Sequence, residues 1–269
     1  MAVLTISREF RSGGREVGAA VAEKLAYQYV GKERILEEMG KVGDRWRKMV
    51  FELDEAAPTL WERYDMQYRG FIALIESAVY EYALKDRTVI IGRGGNFLLE
   101  GIPHVLRVRL TAPLETRIGR VIAKDGVDRK TAERLIQRID RARAGYIRAH
   151  FGKEWHDVEH YDVVFNTEKQ PFEEIADLLV EMLEKCDRSA TVEGMNLLSG
   201  RALAAQIKAA ICTNPKVVIP TLNVFFDGRE VVLRGIVHKE NQYRLVEGIV
   251  RDLDGNLPVR NEIRLHRGA

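Results

Sequence analysis

The sequence predicts an α/β chain: a parallel sheet with helices on both faces, then a second, smaller α+β unit. Two observations lead there. β-rich runs at 3–6, 88–91, 104–110 and 161–166 alternate with helical stretches, the order that builds a parallel sheet covered on both sides. After Lys185 the order becomes α, β, β, α, β within roughly 70 residues, enough for a small independent domain.

Taken in order, VLTIS opens as a strand and runs into Ser12-Gly13-Gly14, after which Val17, Val21 and Leu25 recur at helical spacing. YQYV follows as a short apolar stretch. Residues 33–85 read as mostly helical, with turn signals at Gly40, Gly43, Pro58 and Gly70. Thr88-Val89-Ile90-Ile91 is a buried strand ended by Gly92-Arg93-Gly94-Gly95, and the strand from His104 to Leu110 is closed by Pro113 at the start of a helix. Asp128 is the predicted N-cap of a long helix from about Arg129 to His150. A strand at 161–166 and a helix to about Leu183 complete a first unit over 1–185.

DRSATVEGMNLLSG is small and polar and reads as a linker, with 186–197 separating the two units. In the second unit, 198–269, a helix at 201–211 is stopped by Asn214-Pro215. LNVFF-DG-REVVLRGIV then forms a hairpin with Asp227-Gly228 at its turn; a helix at 239–252 and a strand at 259–265 follow.

Composition bounds the class. With 46% hydrophobic and 30% charged residues, the 269-residue chain is an ordinary globular protein, and a net charge of +2 gives no argument for a nucleic-acid partner. Cys186 and Cys212 form no C-x-x-C pair, which suits a reducing compartment. No apolar run approaches the roughly 20 residues of a transmembrane helix. The N-terminus lacks the charged-then-apolar order of a secretory leader, so the expected setting is cytoplasmic, without a transmembrane segment.

The stretch ISREFRSGGREVG carries the first chemical signal. Strand, glycine loop and helix form the local shape of a phosphate cradle, because the amides at a helix N-terminus lack partners and the helix dipole favours an anion there. The Walker spacing G-x-x-x-x-G-K-[ST] is not met: Glu9 stands at the first glycine, Arg15 at the lysine and Glu16 at the hydroxyl residue. Arg15 can replace the lysine as a cation with a two-pronged grip. Glu16 must turn away from a phosphate or hold Mg²⁺ beside it. The loop alone leaves open a cradle or a plain Gly-Gly turn.

With that stretch, YQYVGKERI, IIGRGGNFLL, VRLTAP, DRARAGYIRAHFG and YDVVFNTEKQ occur in order. Over about residues 1–185 the set resembles the cytidylate kinase-like family, a branch of the P-loop nucleoside monophosphate kinases. The resemblance implies a P-loop NTPase-like sheet, ATP with Mg²⁺ at the loop, and a nucleotide acceptor such as CMP or dCMP. It makes Ser12, Gly13, Gly14, Arg15 and Glu16 the cofactor-binding set, with Glu16 at the metal. Arg93 resembles the arginine that holds the acceptor phosphate, and Arg15, Arg141 and Arg143 would act on the transferred group. Arg117 and Arg120 are further candidates on the same side.

Two departures count against full activity: Arg11 sits where the family usually has the first loop glycine, and Gly31 where it usually has Asp. Gly94, where an Asp often follows the arginine, leaves base recognition open. His156 and His160 have the i, i+4 spacing of a metal pair, but the motif is not H-E-x-x-H and no third ligand is evident, so zinc is not expected. Trp155, Phe151 and Tyr161 are expected to pack around the end of the lid.

LNVFFDGREVVLRGIV with the following helix and VRNEIRLH resembles a BON domain over about 198–267. That implies a binding or regulatory module with a protein or small-ligand partner. The expected function is thus an ATP-dependent phosphotransferase with an appended module. The alternative is a nucleotide-binding regulator without turnover that acts through the BON-like unit.

Overall fold

The computed structural model describes residues 2–53, 58, 59, 62, 65–253 and 258–266; part of the stretch expected to be helical (54–57, 60, 61, 63 and 64) lies outside them. The chain divides into two compact units. One holds 1–58 and 85–191, the other 59–84 and 192–269.

In the first unit, β1 (Val3–Arg8) leads through the glycine loop into α1 (Gly14–Leu25). The YQYV stretch contributes β2 (Gln28–Val30), followed by α2 (Lys32–Val42) and α3 (Asp44–Leu53). After an excursion into the second unit that includes α4 (Met66–Leu84), the chain returns as β3 (Thr88–Ile91), the short α5 (Gly95–Leu98) and β4 (Val105–Thr111). Then come α6 (Leu114–Asp125), α7 (Arg129–Phe151), β5 (Val163–Asn166) and α8 (Phe172–Asp187). Asp128 caps α7 as expected, its side chain accepting from the Thr131 amide.

The sheet order is β2-β3-β1-β4-β5, and every pairing is parallel. β1 is therefore central: from it the chain runs to β2 and β3 on one side, then crosses to β4 and β5 on the other. In open α/β sheets that reversal of strand order leaves a crevice at the carboxyl ends. Leu4 and Ile6 of β1, Val17 and Val21 of α1, and Ile175, Leu179 and Leu183 of α8 share one core on a single face of the sheet. Each fully buried aliphatic side chain of this kind stabilises by about 1.5–3 kcal/mol. Ile118 and Val121 of α6 pack with Ala132 and Ile136 of α7 in a separate cluster.

The second unit joins α4 to α9 (Val192–Thr213), β6 (Asn223–Phe226), β7 (Val231–Val237), α10 (Glu240–Asp252) and β8 (Val259–Leu265). The order after α8 is thus α, β, β, α, β as expected. β6 and β7 pair antiparallel, while β7 and β8 pair parallel. Two expectations are corrected. The linker expected over 186–197 is largely helical: α8 runs to Asp187 and α9 starts at Val192, with Gly194 of this stretch buried. The helix at 66–84, expected within the first unit, belongs to the second, where Lys208 Nζ meets Glu76 at 2.6 Å and Arg69 donates to the Leu222 carbonyl at 2.8 Å.

Candidate functional site

A cavity of about 760 Å³ opens at the carboxyl ends of β1, β2 and β3. Its cations come from every element that ends there. Arg8 closes β1; Arg11 and Arg15 flank the glycines; Lys32 begins α2; Arg93 follows β3; Arg120 and Lys124 lie on α6, and Arg143 on α7. Two carboxylates, Glu9 and Glu16, share the lining with apolar surface from Phe10, Tyr29, Ile91, Ile139 and Phe172. Eight cationic side chains and two carboxylates line it, and with Asp125 on Arg11 and Glu33 on Arg15 an excess of positive charge remains, which suits an anion.

The loop geometry explains its glycines. Gly13 has φ 86°, and a Cβ there would lie 2.3 Å from Phe172 Cε1; a Cβ on Gly14 would lie 2.6 Å from Arg8 Cγ. Gly13 caps α1 with no side-chain hydrogen bond, so the first-turn amides have no side chain of their own cap to satisfy them. Arg11 also takes the left-handed conformation, φ 63°. The turn where a glycine is expected from the sequence is made by an arginine, at a cost of about 1–2 kcal/mol. Its guanidinium pairs with Asp125 at 2.6 Å and its carbonyl accepts from Arg120 Nη1 at 3.1 Å.

The expected site residues do not all converge. Gly13, Gly14, Arg15, Glu16, Arg93 and Arg143 line the cavity together with Arg120, whereas Ser12, Arg117 and Arg141 do not. Ser12 is fully buried, its hydroxyl set against the Glu9 and Leu110 carbonyls at 2.9 Å each, so it fixes the loop instead of presenting to a ligand. Arg141 is exposed. It precedes Arg143 by two residues, which at about 100° per residue puts the pair on nearly opposite faces of one helix. Arg15 meets Glu33 at 2.5 Å with both side chains more than half exposed, a contact worth about 0–1 kcal/mol and easily exchanged for a phosphate.

Arg93 is 3% exposed and has φ 60° between two left-handed glycines, Gly92 and Gly94. Backbone strain of this kind collects at ligand sites. A Cβ on Gly94 would sit 2.4 Å from Phe151, and one on Gly31 2.7 Å from Tyr29. Aromatic rings thus take the space that an aspartate at either position would need. Burial holds the Tyr29 phenol above its ordinary pKa, with Arg15 and Arg8 pulling the other way. Burial also lowers the pKa of Arg120, opposed by the field of Glu16. Arg120 donates to the Thr167 carbonyl at 2.7 Å and lies 4.9 Å from the Phe172 ring centre.

Behind the cavity a buried ionic group holds the loop. Glu9 lies 3.7 Å from Arg109 and 3.6 Å from Arg117, and accepts from the Ala112 amide at 3.2 Å. Arg109 also donates to the Trp155 carbonyl at 2.9 Å and meets His156 Nδ1 at 3.0 Å. His156 is thereby a packing partner of an arginine, and His160 packs edge-on against Phe97. Among the described residues no group of three or more His, Cys, Asp or Glu could hold a metal. Sequence reasoning missed Arg8, Lys32 and Lys124. Their signal was position: Arg8 ends β1, and Lys32 opens the helix two residues after β2.

Fold and site together define a P-loop, kinase-like α/β protein: a parallel sheet with a glycine cradle at its central strand and a cation-lined crevice above it. The chain belongs to the cytidylate kinase-like family, whose profile matches residues 3–169. It is 25% identical over 185 residues to the cytidylate kinase of Methanopyrus kandleri, covering 66% of this chain and 90% of that one. It is 35% identical over 101 residues to the uronate isomerase of Corynebacterium glutamicum, covering 37% of this chain but spanning only 19% of the isomerase. An uncharacterized protein from Eubacterium ventriosum shares the fold with a TM-score of 0.54 at 21% identity, over 68% of this chain and 99% of that one. No helix among the described residues is long and apolar enough to cross a membrane.

Proposed function

We propose that the chain is an ATP-dependent phosphotransferase that moves the γ-phosphoryl group of ATP to a nucleoside monophosphate, CMP or dCMP first among them. The observation that carries this reading is the excess of cations around the glycine loop. A triphosphate and a phosphate monoester, the latter with about two negative charges, together need such an excess. In this reading the Gly13-Gly14 amides and Arg15 hold the ATP phosphates, and Arg93 holds the acceptor phosphate. Arg143 offsets charge that develops during transfer. Catalysis here is positioning and charge neutralisation, with no protein nucleophile.

Mg²⁺ fits as an ion delivered with ATP, since it keeps most of its waters and needs only one or two carboxylates. Glu16, exposed on the cavity wall, is the group that would face it. Arg141 would act only where α7 turns or an acceptor reaches over it. The second unit is read as a BON-like binding or regulatory module, supported by its α, β, β, α, β order and its Asp227-Gly228 turn. The cytoplasm is the proposed setting.

A coupled assay of MgATP with each nucleoside monophosphate tests the reading. Turnover with CMP or dCMP is expected to exceed that with the other acceptors. Arg93→Ala is expected to lower kcat/KM by about 10²–10³. Tight MgATP binding with no turnover on any acceptor would instead favour the nucleotide-binding regulator.

A further inference from the structure

We propose that Asp140 is a positioning residue that pins the arginine-bearing face of α7 to the phosphate loop and so sets where Arg143 stands against the bound triphosphate. The proposal rests on the nucleotide-binding reading above. Asp140 Oδ1 accepts the backbone N–H of Phe10 at 2.8 Å, and Oδ2 accepts from Arg117 Nη1. Its side chain is 16% exposed. Arg117 donates through Nε to the Ala112 carbonyl at 3.0 Å and through Nη1 to the Phe10 carbonyl at 3.4 Å. The Phe10 residue is therefore held at its N–H by α7 and at its carbonyl by α6. One turn further along α7, Arg143 Nη1 donates to the Arg8 carbonyl at 3.0 Å.

Asp140 and Arg143 are three apart, so they share a helix face. Together they tie α7 to the backbone on both sides of Glu9. Apolar packing already joins α7 to α6 through Ile118, Val121, Ala132 and Ile136. What packing lacks is direction. A carboxylate bonded to one loop amide fixes the distance between the glycine cradle and the guanidinium, and small errors in such distances weaken charge stabilisation steeply. The loop being pinned contains Arg11 in its left-handed turn, which has no glycine to relax into.

The test is calorimetry of MgATP binding to the full chain and to Asp140→Asn, Arg143→Ala and the double variant. Asp140→Asn keeps a single acceptor oxygen, so it cannot hold the Phe10 N–H and Arg117 together as the carboxylate does. We expect it to weaken MgATP binding about tenfold, Arg143→Ala at least as much, and the pair no more than Arg143→Ala alone, the signature of one residue acting through the other. Asp140→Glu keeps the charge beside Arg117 but displaces the loop bond. It is expected to share the binding defect while melting at the wild-type temperature. Wild-type affinity in both Asp140 variants, or additive losses in the cycle, would overturn the proposal and leave the nucleotide site intact. Absence of MgATP binding by the wild-type chain would instead remove the nucleotide reading itself.

Discussion

Gly13 carries two constraints at once, a left-handed φ of 86° and a ring against its Cα. Alanine satisfies neither. The conformation costs about 1–2 kcal/mol for any residue with a Cβ, and Phe172 must also move away from the loop. Gly13→Ala is expected to lower stability by about 2 kcal/mol or more in denaturant melts and to remove measurable MgATP binding. An alanine variant that binds as tightly as wild type would show that the loop amides do not form the anion site. His104 is a second single-residue case. It is fully buried, with neither ring nitrogen hydrogen-bonded. Burial pushes its pKa below the ordinary histidine value, and the Asp86 carboxylate opposes this more weakly. The unfolded chain takes up a proton near pH 6.5 that the native state refuses, so the unfolded state binds more protons there. Stability from this residue is complete above about pH 6.5 and falls as pH drops toward the lowered native value, with a slope of at most about 1.4 kcal/mol per pH unit. Melting temperatures between pH 8 and 5 should show that decline in wild type and a flatter profile in His104→Leu. Parallel profiles would mean that other groups set the acid limit.

At the scale of elements, α7 joins its start signal to its function. Asp128 accepts from the Thr131 amide at 3.0 Å and closes the N-terminus of a 23-residue helix. Asp128→Ala is expected to cost about 1 kcal/mol, read as a lower melting temperature. Because the cap lies some 15 residues from Arg143, MgATP affinity should barely change; a large loss would mean that fraying travels the length of the helix. The cap was legible because an aspartate before a helical pattern is a local signal. The strands β1, β3 and β4 were legible for a similar reason, as β-branched runs ended by glycine or proline. β2 showed only as an apolar stretch, since three residues at a sheet edge carry too short a pattern to separate strand from loop. The site divided in the same way. Gly13, Gly14, Arg93 and Arg143 stand in recognisable strings, whereas Lys32, Lys124 and the tie from Asp140 to Phe10 depend on elements meeting in space. Arg141 looked equivalent to Arg143 in sequence, and only helical geometry separates them.

For the whole molecule, the least legible feature is the discontinuity of the second unit. Helix α4 buries residues around most of its circumference, among them Phe71, Ile75, Val79 and Tyr82. Such a pattern announces burial without naming the partner. The partner within its own unit is α9, along which α4 packs, with Lys208 on Glu76 and Arg69 on the Leu222 carbonyl adding directed contacts. A boundary drawn near 198 therefore leaves part of the second unit's core behind in sequence. Several large apolar side chains at about 1.5–3 kcal/mol each match the whole stability of a small domain, about 5–15 kcal/mol. A fragment of residues 192–269 is accordingly expected to lack a cooperative thermal transition by circular dichroism and to elute as aggregate. Joining residues 66–84 to it through a short flexible linker should restore both a cooperative melt and a monomer-sized peak. A cooperative melt of 192–269 alone, at the temperature of the linked form, would show that α4 is dispensable to the unit. That result would also return the domain boundary to the place where the composition of the chain changes.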